Sequence, residues 1–205
     1  YFMKLFTTTE RYSNVSISAK LITRSIESKN GDLPTFMRFG QAWFDGETQE
    51  DYTRCLLEVL DMNTSELTNC NSMFRYCINL TSINCNWNTS KVTTMHAMFN
   101  NCNNLTQLDV SNFNTSKVTT MHAMFHNCNK LTQLDVSNFN TSQVTDMGYM
   151  FNSCTKLTQL DVSNFNTSQV TNMHAMFYYC TNLAQLDVSN FNTSKVADMY
   201  GMFNS

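Results

Sequence analysis

The sequence predicts an α/β repeat solenoid, with a parallel β-sheet on the concave face and short helices or 3₁₀ turns on the opposite side. Three observations predict this fold class. The pair Met-Phe recurs at intervals of 25 or 26 residues, cysteine follows the same interval, and each interval contains one strand-like and one helix-like half. The Met-Phe pairs lie at 73–74, 98–99, 124–125, 150–151, 176–177 and 202–203. A constant interval over such a length is typical of stacked-repeat architectures.

The module 102–127 shows how each element is predicted. Leu108 and Val110 alternate with polar residues, which is the period of a β-strand. Met121 and Met124 follow at an interval of three residues, which indicates a helix or a 3₁₀ turn, and a Ser or Thr shortly before them is suited to cap its first turn. One module cannot bury its apolar side alone. Stacked copies bury it when their strands pair about 4.8 Å apart.

The repeat divides most of the chain into modules. Five full modules are predicted at 77–101, 102–127, 128–153, 154–179 and 180–205. Moving back 51 residues from Val110 reaches Val59, so a degenerate sixth module is predicted at 51–76, with Glu58 level with Asp109. The repeats therefore extend over 51–205 as six stacked units.

Residues 1–50 lack the period but contain many apolar side chains. The apolar end of a solenoid needs a covering element, which favours an N-terminal cap. A small flanking domain is the other interpretation, and the sequence leaves both open.

Composition argues against several classes of protein. Only 14% of residues are charged, the net charge is −3, and no run of Lys or Arg is present, so a nucleic-acid partner is not expected. The hydrophobic fraction of 42% predicts a folded core rather than a disordered chain. No apolar run approaches the roughly 18 residues of a membrane span, so we expect no transmembrane segment in this chain. Its first residues do not form a signal peptide.

The repeated motif resembles that of a known family. The full modules follow, with small variations, the pattern Cys-x-x-Leu-x-x-Leu-x-Val and then Asn-Thr-Ser-x-Val-x-x-Met-x-x-Met-Phe-x-x-Cys. This pattern resembles the 26-residue repeats of BspA-like bacterial surface proteins, over 77–205 and more weakly over 51–76. The resemblance implies a leucine-rich-repeat-type solenoid that is extracellular or displayed on the cell surface. It also implies adhesion to proteins or glycans of a host or neighbouring cell, and no shared catalytic residues.

The sequence lacks the common catalytic motifs. There is no Gly-rich phosphate loop, no Gly-x-Ser-x-Gly and no His-Glu-x-x-His, so we expect neither enzymatic activity nor a cofactor. The cysteines form no Cys-x-x-Cys pair, and burial in the core is expected for them rather than a metal site or disulfides. His96, His122 and His174 share a module position that is interrupted at Gly148. Solvent-facing histidines on a helix are therefore expected there, not metal ligands.

One set of polar residues is a candidate binding site. In each of four modules a Gln, an Asp and a Ser alternate with buried Leu and Val, so their side chains are expected to point outward from the strand. The set consists of Gln107, Asp109, Ser111, Gln133, Asp135, Ser137, Gln159, Asp161, Ser163, Gln185, Asp187 and Ser189. Its Asp column has three interpretations: an acidic groove for a basic or polyhydroxyl ligand, a row of weak Ca²⁺ sites, or carboxylates that accept a nearby backbone N–H and shape the turn.

The repeat and its outward face lead to three hypotheses for function. The first is a surface-displayed module that binds protein or glycan ligands along the sheet, without catalysis. The alternative is a structural component of a filament, capsid or envelope, which assembles with a neighbouring subunit through the ends of the solenoid. A minor alternative is ice binding by a threonine column, namely Thr115, Thr141, Thr167 and Thr193.

Overall fold

The computed structural model describes residues 58–59, 67–78, 80–84 and 87–204. Three short strands form a parallel sheet in the order β1-β2-β3, and they are β1 Glu58–Val59, β2 Ser82–Asn84 and β3 Gln107–Asp109. The register pairs Ile83 with Leu108 and Asn84 with Asp109. Equivalent positions of successive modules therefore lie side by side and run in the same direction, as the repeat predicts. The cap or flanking domain expected at 1–50 lies outside the described residues, as do Cys55 and Cys85.

The register of β1 corrects the alignment of the degenerate module. Glu58 pairs with Ser82 and so is level with Gln107, not with Asp109. Further along the same module, Asn69 pairs with Thr94, which agrees with the predicted register. The segment that joins β1 to Asn69 is therefore two residues shorter than the segment from Gln107 to Thr120 and one shorter than that from Ser82 to Thr94, and a constant shift of 51 residues could not detect this.

A second parallel ladder runs through the half of the module in which a helix or 3₁₀ turn was expected. Its members pair one to the next as Asn69, Thr94, Thr120, Asp146, Asn172 and Asp198. On one side the N–H of Thr119 donates to Thr93 O at 2.9 Å, and on the other Met121 N–H donates to Asp146 O at 3.0 Å. Each described module is thus joined to its neighbours at two places along its length.

The segment after this ladder contains turns in place of the predicted helix. Met124, His126 and Cys128 donate their N–H groups to carbonyls three residues back, at 3.1–3.2 Å. The intervening N–H groups of Met121, Ala123, Phe125 and Asn127 donate instead to the next module, at 2.7–3.0 Å. An α-helix needs all these groups for its own i→i−4 bonds. No α- or 3₁₀-helix occurs in the described residues, so the helical alternative is wrong for them, while single turns are present.

These turns need residues in the left-handed backbone region. Ala123 has φ 53° and Asn127 φ 62°, and the same two positions are left-handed in the neighbouring modules. Asn adopts this region readily, but alanine does so at a cost of about 1–2 kcal/mol. The hydrogen bonds from alternate N–H groups to the next module offset that cost. The stacking of modules therefore determines the backbone conformation of this turn segment.

The core consists of columns of like side chains between the two ladders. Six phenylalanines stack along one column with ring centroids 5.4–5.9 Å apart, namely Phe74, Phe99, Phe125, Phe151, Phe177 and Phe203. Leu105, Val118, Met121 and Met124 are fully buried beside them. Each module contributes one layer, so apolar burial depends on a neighbouring module on both sides.

The cysteine column is buried, as predicted. Cys77, Cys102, Cys128, Cys154 and Cys180 are all free thiols. The thiol of Cys128 donates to Phe99 O at 3.2 Å, and the equivalent bond recurs at Cys102, Cys154 and Cys180. Burial raises the pKa of these thiols, to about 11 for Cys180 and further for Cys128. The column therefore packs the core, and each of these four thiols also satisfies a carbonyl that lies 28 or 29 residues earlier in the chain.

Candidate functional site

The Gln, Asp and Ser columns form one continuous polar face, which we call the strand face. All twelve predicted residues are exposed, whereas Leu108 and Val110, which alternate with them, are buried. The face begins on β3, where Gln107 and Asp109 flank Leu108, and it continues where Gln133 pairs with Gln159. The structure therefore brings the predicted residues together in rows one module apart.

Each carboxylate of the strand face makes the same local hydrogen bond. The N–H of Ser111 donates to Asp109 Oδ1 at 2.9 Å, and the same bond links the Asp and Ser of the next three modules at the same length. An Asp that binds the N–H two residues ahead shapes a turn. This geometry matches the interpretation in which the Asp column shapes the turn. The hydrogen bond occupies one oxygen of each carboxylate.

The carboxylates stay ionised despite their mutual repulsion. Hydrogen bonds from the Ser163 side chain and backbone lower the pKa of Asp161, and these outweigh the opposing effect of Asp135 and Asp187. The Asp109 and Asp135 pKa values are lowered by the same kind of bond. The strand face therefore carries a row of negative charges at neutral pH, screened by solvent because the side chains are exposed.

An asparagine column holds the loop beside the strand face, and the sequence analysis did not identify it. Asn138 Nδ2 donates to three carbonyls of the preceding module, those of Val110, Ser111 and Phe113, at 3.0–3.1 Å. Asn190 makes the equivalent three bonds. The available signal was the repeated Ser-Asn-Phe, in which the Asn follows each Ser of the face. These bonds fix the loop and hence the position of the Asp-Ser turn.

Of the four threonines proposed for ice binding, three are buried and one, Thr193 in the last module, is exposed. Thr115, Thr141 and Thr167 are each 1% exposed. Thr141 Oγ1 donates to Asn166 O at 3.0 Å and accepts the N–H of the same residue at 2.8 Å. A hydroxyl used in this way cannot contact an ice surface. The ice-binding hypothesis for this column is therefore wrong, and its threonines join one module to the next.

The histidine column is interrupted at Gly148, as the sequence shows, but the stack of rings along it is continuous. The rings of His96 and His122 stack at 5.1 Å with planes 7° apart. At the Gly148 module the ring of Tyr149 takes the vacant place, 5.5 Å from His122 and 4.9 Å from His174. His96, His122 and His174 are half-buried rather than solvent-facing on a helix. No group of three or more His, Cys, Asp or Glu side chains suited to a metal ion occurs in the part of the chain that the structure describes.

The stacked modules with their repeated columns define the chain as a repeat protein. It belongs to the family described as "Mycoplasma protein of unknown function, DUF285", whose model matches residues 46–134 and 129–205. No curated protein matches the chain. Among the described residues, no helix is long and apolar enough to cross a membrane.

One solved structure is similar to the chain. It is a leucine-rich repeat protein from Eubacterium ventriosum, with 17% sequence identity and a TM-score of 0.43. The match covers 66% of this chain and 33% of the other, so it spans about a third of the length of the solved protein.

Proposed function

We propose that the chain is a non-catalytic binding module that recognises a protein or glycan ligand along the strand face. One observation carries the proposal: twelve polar side chains from four successive modules are exposed in register, while the Leu and Val residues between them anchor the strands in the core. Repeated rows on a packed support suit large and shallow ligands, which make many weak contacts at once.

The chemistry of the strand face suits a ligand with hydroxyl or basic groups. Each Gln side chain offers two N–H donors and an acceptor, and each ionised Asp keeps acceptor capacity beyond the bond to its Ser. The negative row favours a ligand that carries amines or guanidinium groups, and the amides favour one that carries hydroxyls. Glycans and basic protein segments meet these requirements.

We further infer that the stack is a solenoid of the leucine-rich-repeat type and that it is displayed outside the cell, as in BspA-like surface proteins. Backbone bonds between residues 24 to 26 apart support the first inference, for example Ala97 N to His122 O at 2.8 Å and Thr119 N to Thr93 O at 2.9 Å. The Asn-Thr-Ser and Met-Phe-x-x-Cys motifs support the second, through the resemblance described above.

The test is capture of the labelled chain on an array of purified glycans and matrix proteins. The double variant Asp135→Lys/Asp161→Lys reverses charge in the middle of the face and should lose capture. Asp135→Asn/Asp161→Asn keeps an acceptor for the Ser N–H groups but removes the charge, so it separates charge recognition from turn stability. Unchanged capture by the Lys variant would contradict the proposal.

A matched control adds positive charge away from the strand face. Gln143→Lys/Gln169→Lys alters an exposed column that already contains lysine at 91, 117 and 195, so the fold should accept it. This control should capture ligand like the original chain. Urea unfolding of all variants shows whether a loss of capture is caused by unfolding of the variant.

A further inference from the structure

A group of basic side chains lies on the turn segments, apart from the strand face. It consists of Arg75, His96, His122 and His126, and we call it the basic cluster. The rings of His96 and His122 stack at 5.1 Å. Arg75 and His126 occupy one column, with Asn100 between them, since Tyr76 N–H binds Asn100 O and Asn101 N–H binds His126 O, both at 2.8 Å. Three consecutive modules thus place four basic groups together in a chain whose net charge is −3.

Two nitrogen atoms of the basic cluster are buried. Arg75 Nε and His126 Nδ1 are shielded from solvent, and neither makes a hydrogen bond within the part of the chain that the structure describes. Folded proteins satisfy most buried polar atoms, so such an atom at a functional site commonly has a missing ligand or ion. Both atoms belong to the same column.

Within the described residues, the carboxylate that acts on the basic cluster is that of Asp146. Asp146 Oδ1 lies 3.2 Å from His122 Nδ1 and accepts from Gly148 N–H and Asn172 Nδ2 at 2.9 and 3.0 Å. Burial and then His122 lower the pKa of His96, Asp146 opposes them, and Arg75 adds a smaller lowering effect. The pKa of His126 is lowered mainly by burial, a bond with Asn152 opposes this, and His122 and Arg75 add smaller lowering effects. The groups that face these imidazoles are therefore predominantly basic.

His174 provides an internal contrast. It occupies the same module position as His96 and His122, and its Nδ1 lies 3.0 Å from Asp198 Oδ2. Its ring neighbours are Tyr149 and Tyr200, not an arginine or another imidazole. His122 and His174 are thus each paired with an acid, whereas His96 stacks on another imidazole and is also affected by Arg75.

We propose that the basic cluster binds an oxyanion, a sulfate or phosphate group that is either free or esterified to a saccharide. Guanidinium and imidazolium N–H groups donate strong, charge-assisted hydrogen bonds to such oxygens. The anion accepts hydrogen bonds from Arg75 Nε and His126 Nδ1, and it balances the charge of Arg75 and, at lower pH, that of the protonated imidazoles. Binding strengthens as the pH falls, because protonation of His96 and His126 adds donors and charge.

The first test is an NMR titration of the histidine C2 protons of the whole chain between pH 5 and 8. Sodium sulfate is compared with sodium chloride at equal ionic strength. Sulfate should raise the pKa of His96 and His126 saturably, by about half a unit or more, because a bound anion favours the charged imidazole. His174 should respond equally to both salts. Equal shifts of all histidines, or equal effects of the two salts, would overturn the proposal.

The second test uses variants chosen from residues that the columns already contain. His126→Asn introduces the residue found at 100 and 152, and His96→Asn the residue found at 71, so both should fold. His126→Asn should abolish the saturable sulfate response of His96, and His96→Asn should abolish that of His126. Arg75→Gln should abolish both responses. His174→Asn is the matched control and should keep the response. A full response in His126→Asn and Arg75→Gln would contradict the assignment of these residues.

The source of the anion is distinguished by a third measurement. Galactose 6-sulfate is compared with galactose and with inorganic sulfate. Tighter binding of the ester than of inorganic sulfate indicates a sulfated saccharide, and equal binding indicates recognition of the oxyanion alone. Binding of unmodified galactose with the same affinity as the ester would overturn the proposal, since the charged group would then contribute nothing.

Discussion

At the scale of single residues, buried hydroxyls form an important connection between modules. Thr141 is 1% exposed, and it both donates to and accepts from the backbone of Asn166. Thr145, four residues further on, is exposed and makes only one bond, from its hydroxyl to Thr119 O at 3.2 Å. The two threonines are chemically identical, so burial and the number of hydrogen bonds distinguish their contributions to stability.

This contrast leads to a prediction. Thr141→Val keeps the shape of the side chain but removes both hydrogen bonds between the buried Thr141 hydroxyl and the backbone of Asn166, which should reduce the free energy of unfolding by about 1–3 kcal/mol. Thr145→Val should reduce it by less than about 1 kcal/mol, because water replaces the lost bond. Urea unfolding monitored by circular dichroism measures both. Equal losses would show that Thr141 does not connect the modules.

The histidines of the basic cluster predict a pH dependence of stability. The pKa values of His96 and His126 are lowered from 6.5 in the folded chain, mainly by burial, so the unfolded chain binds more protons in this range. Their contribution to stability is therefore fully present above pH 6.5 and is lost as the pH falls below that value. The melting temperature should drop between pH 7 and pH 5 in sulfate-free buffer.

His126→Asn tests the origin of that drop. The variant removes one of the two groups, so the difference in melting temperature between pH 7 and pH 5 should narrow. His174→Asn serves as the control. An unchanged difference in His126→Asn would assign the acid sensitivity to other groups.

At the scale of elements, the turn segment shows how one module compensates for a substitution. A Cβ on Gly148 would lie 2.8 Å from Asn172 Nδ2 and 3.1 Å from His122 Nδ1, so a side chain does not fit there. The ring of Tyr149, in a left-handed position that is alanine in three other modules, completes the ring stack instead. Gly148 and Tyr149 thus replace the His-Ala pair found elsewhere in the repeat.

A double-mutant cycle tests this compensation. Gly148→His alone forces two rings into one place and should cost about 1–3 kcal/mol of unfolding free energy, as overpacking does. Gly148→His/Tyr149→Ala restores the His-Ala pair of 122–123 and should recover most of that loss, so the two changes should be strongly coupled. Thermal and urea unfolding of the four proteins measure the coupling. Additive effects would show that the two positions act independently.

The turn segment also shows where sequence reasoning reached its limit. An interval of three residues, as between Met121 and Met124, fits a helix and fits a series of single turns equally well. The choice depends on where the N–H groups find acceptors. Here alternate N–H groups donate to carbonyls of the next module, and the sequence of one module does not specify these acceptors.

At the scale of the whole molecule, the modules are interchangeable units with neighbour-to-neighbour contacts. Removal of 128–153 joins Asn127 directly to Cys154, and the columns on both sides of the join keep their residue types. This deletion should leave a folded chain that unfolds cooperatively at a lower denaturant midpoint, because one interface between modules is lost.

Removal of half a module is the matched control. Deletion of 128–140 places turn positions of one module beside strand positions of the next, which breaks every column at the join. That variant should lose cooperative unfolding, as measured by circular dichroism in urea. Cooperative unfolding of the half-module deletion would show that the register between modules does not determine the fold.

The sequence by itself determined the module length, the buried Leu, Val, Met, Phe and Cys columns and the outward Gln-Asp-Ser rows of the strand face. These features depend on apolar periodicity, which is present in the sequence of every full module. The tertiary structure decided the rest: turns instead of a helix, the second ladder, the shorter connection after β1, the burial of the Thr115 column, and the closure of the ring stack by Tyr149. Each of these features depends on hydrogen bonds or ring contacts with the next module, about 26 residues away. The local pattern of apolar and polar residues does not specify such contacts.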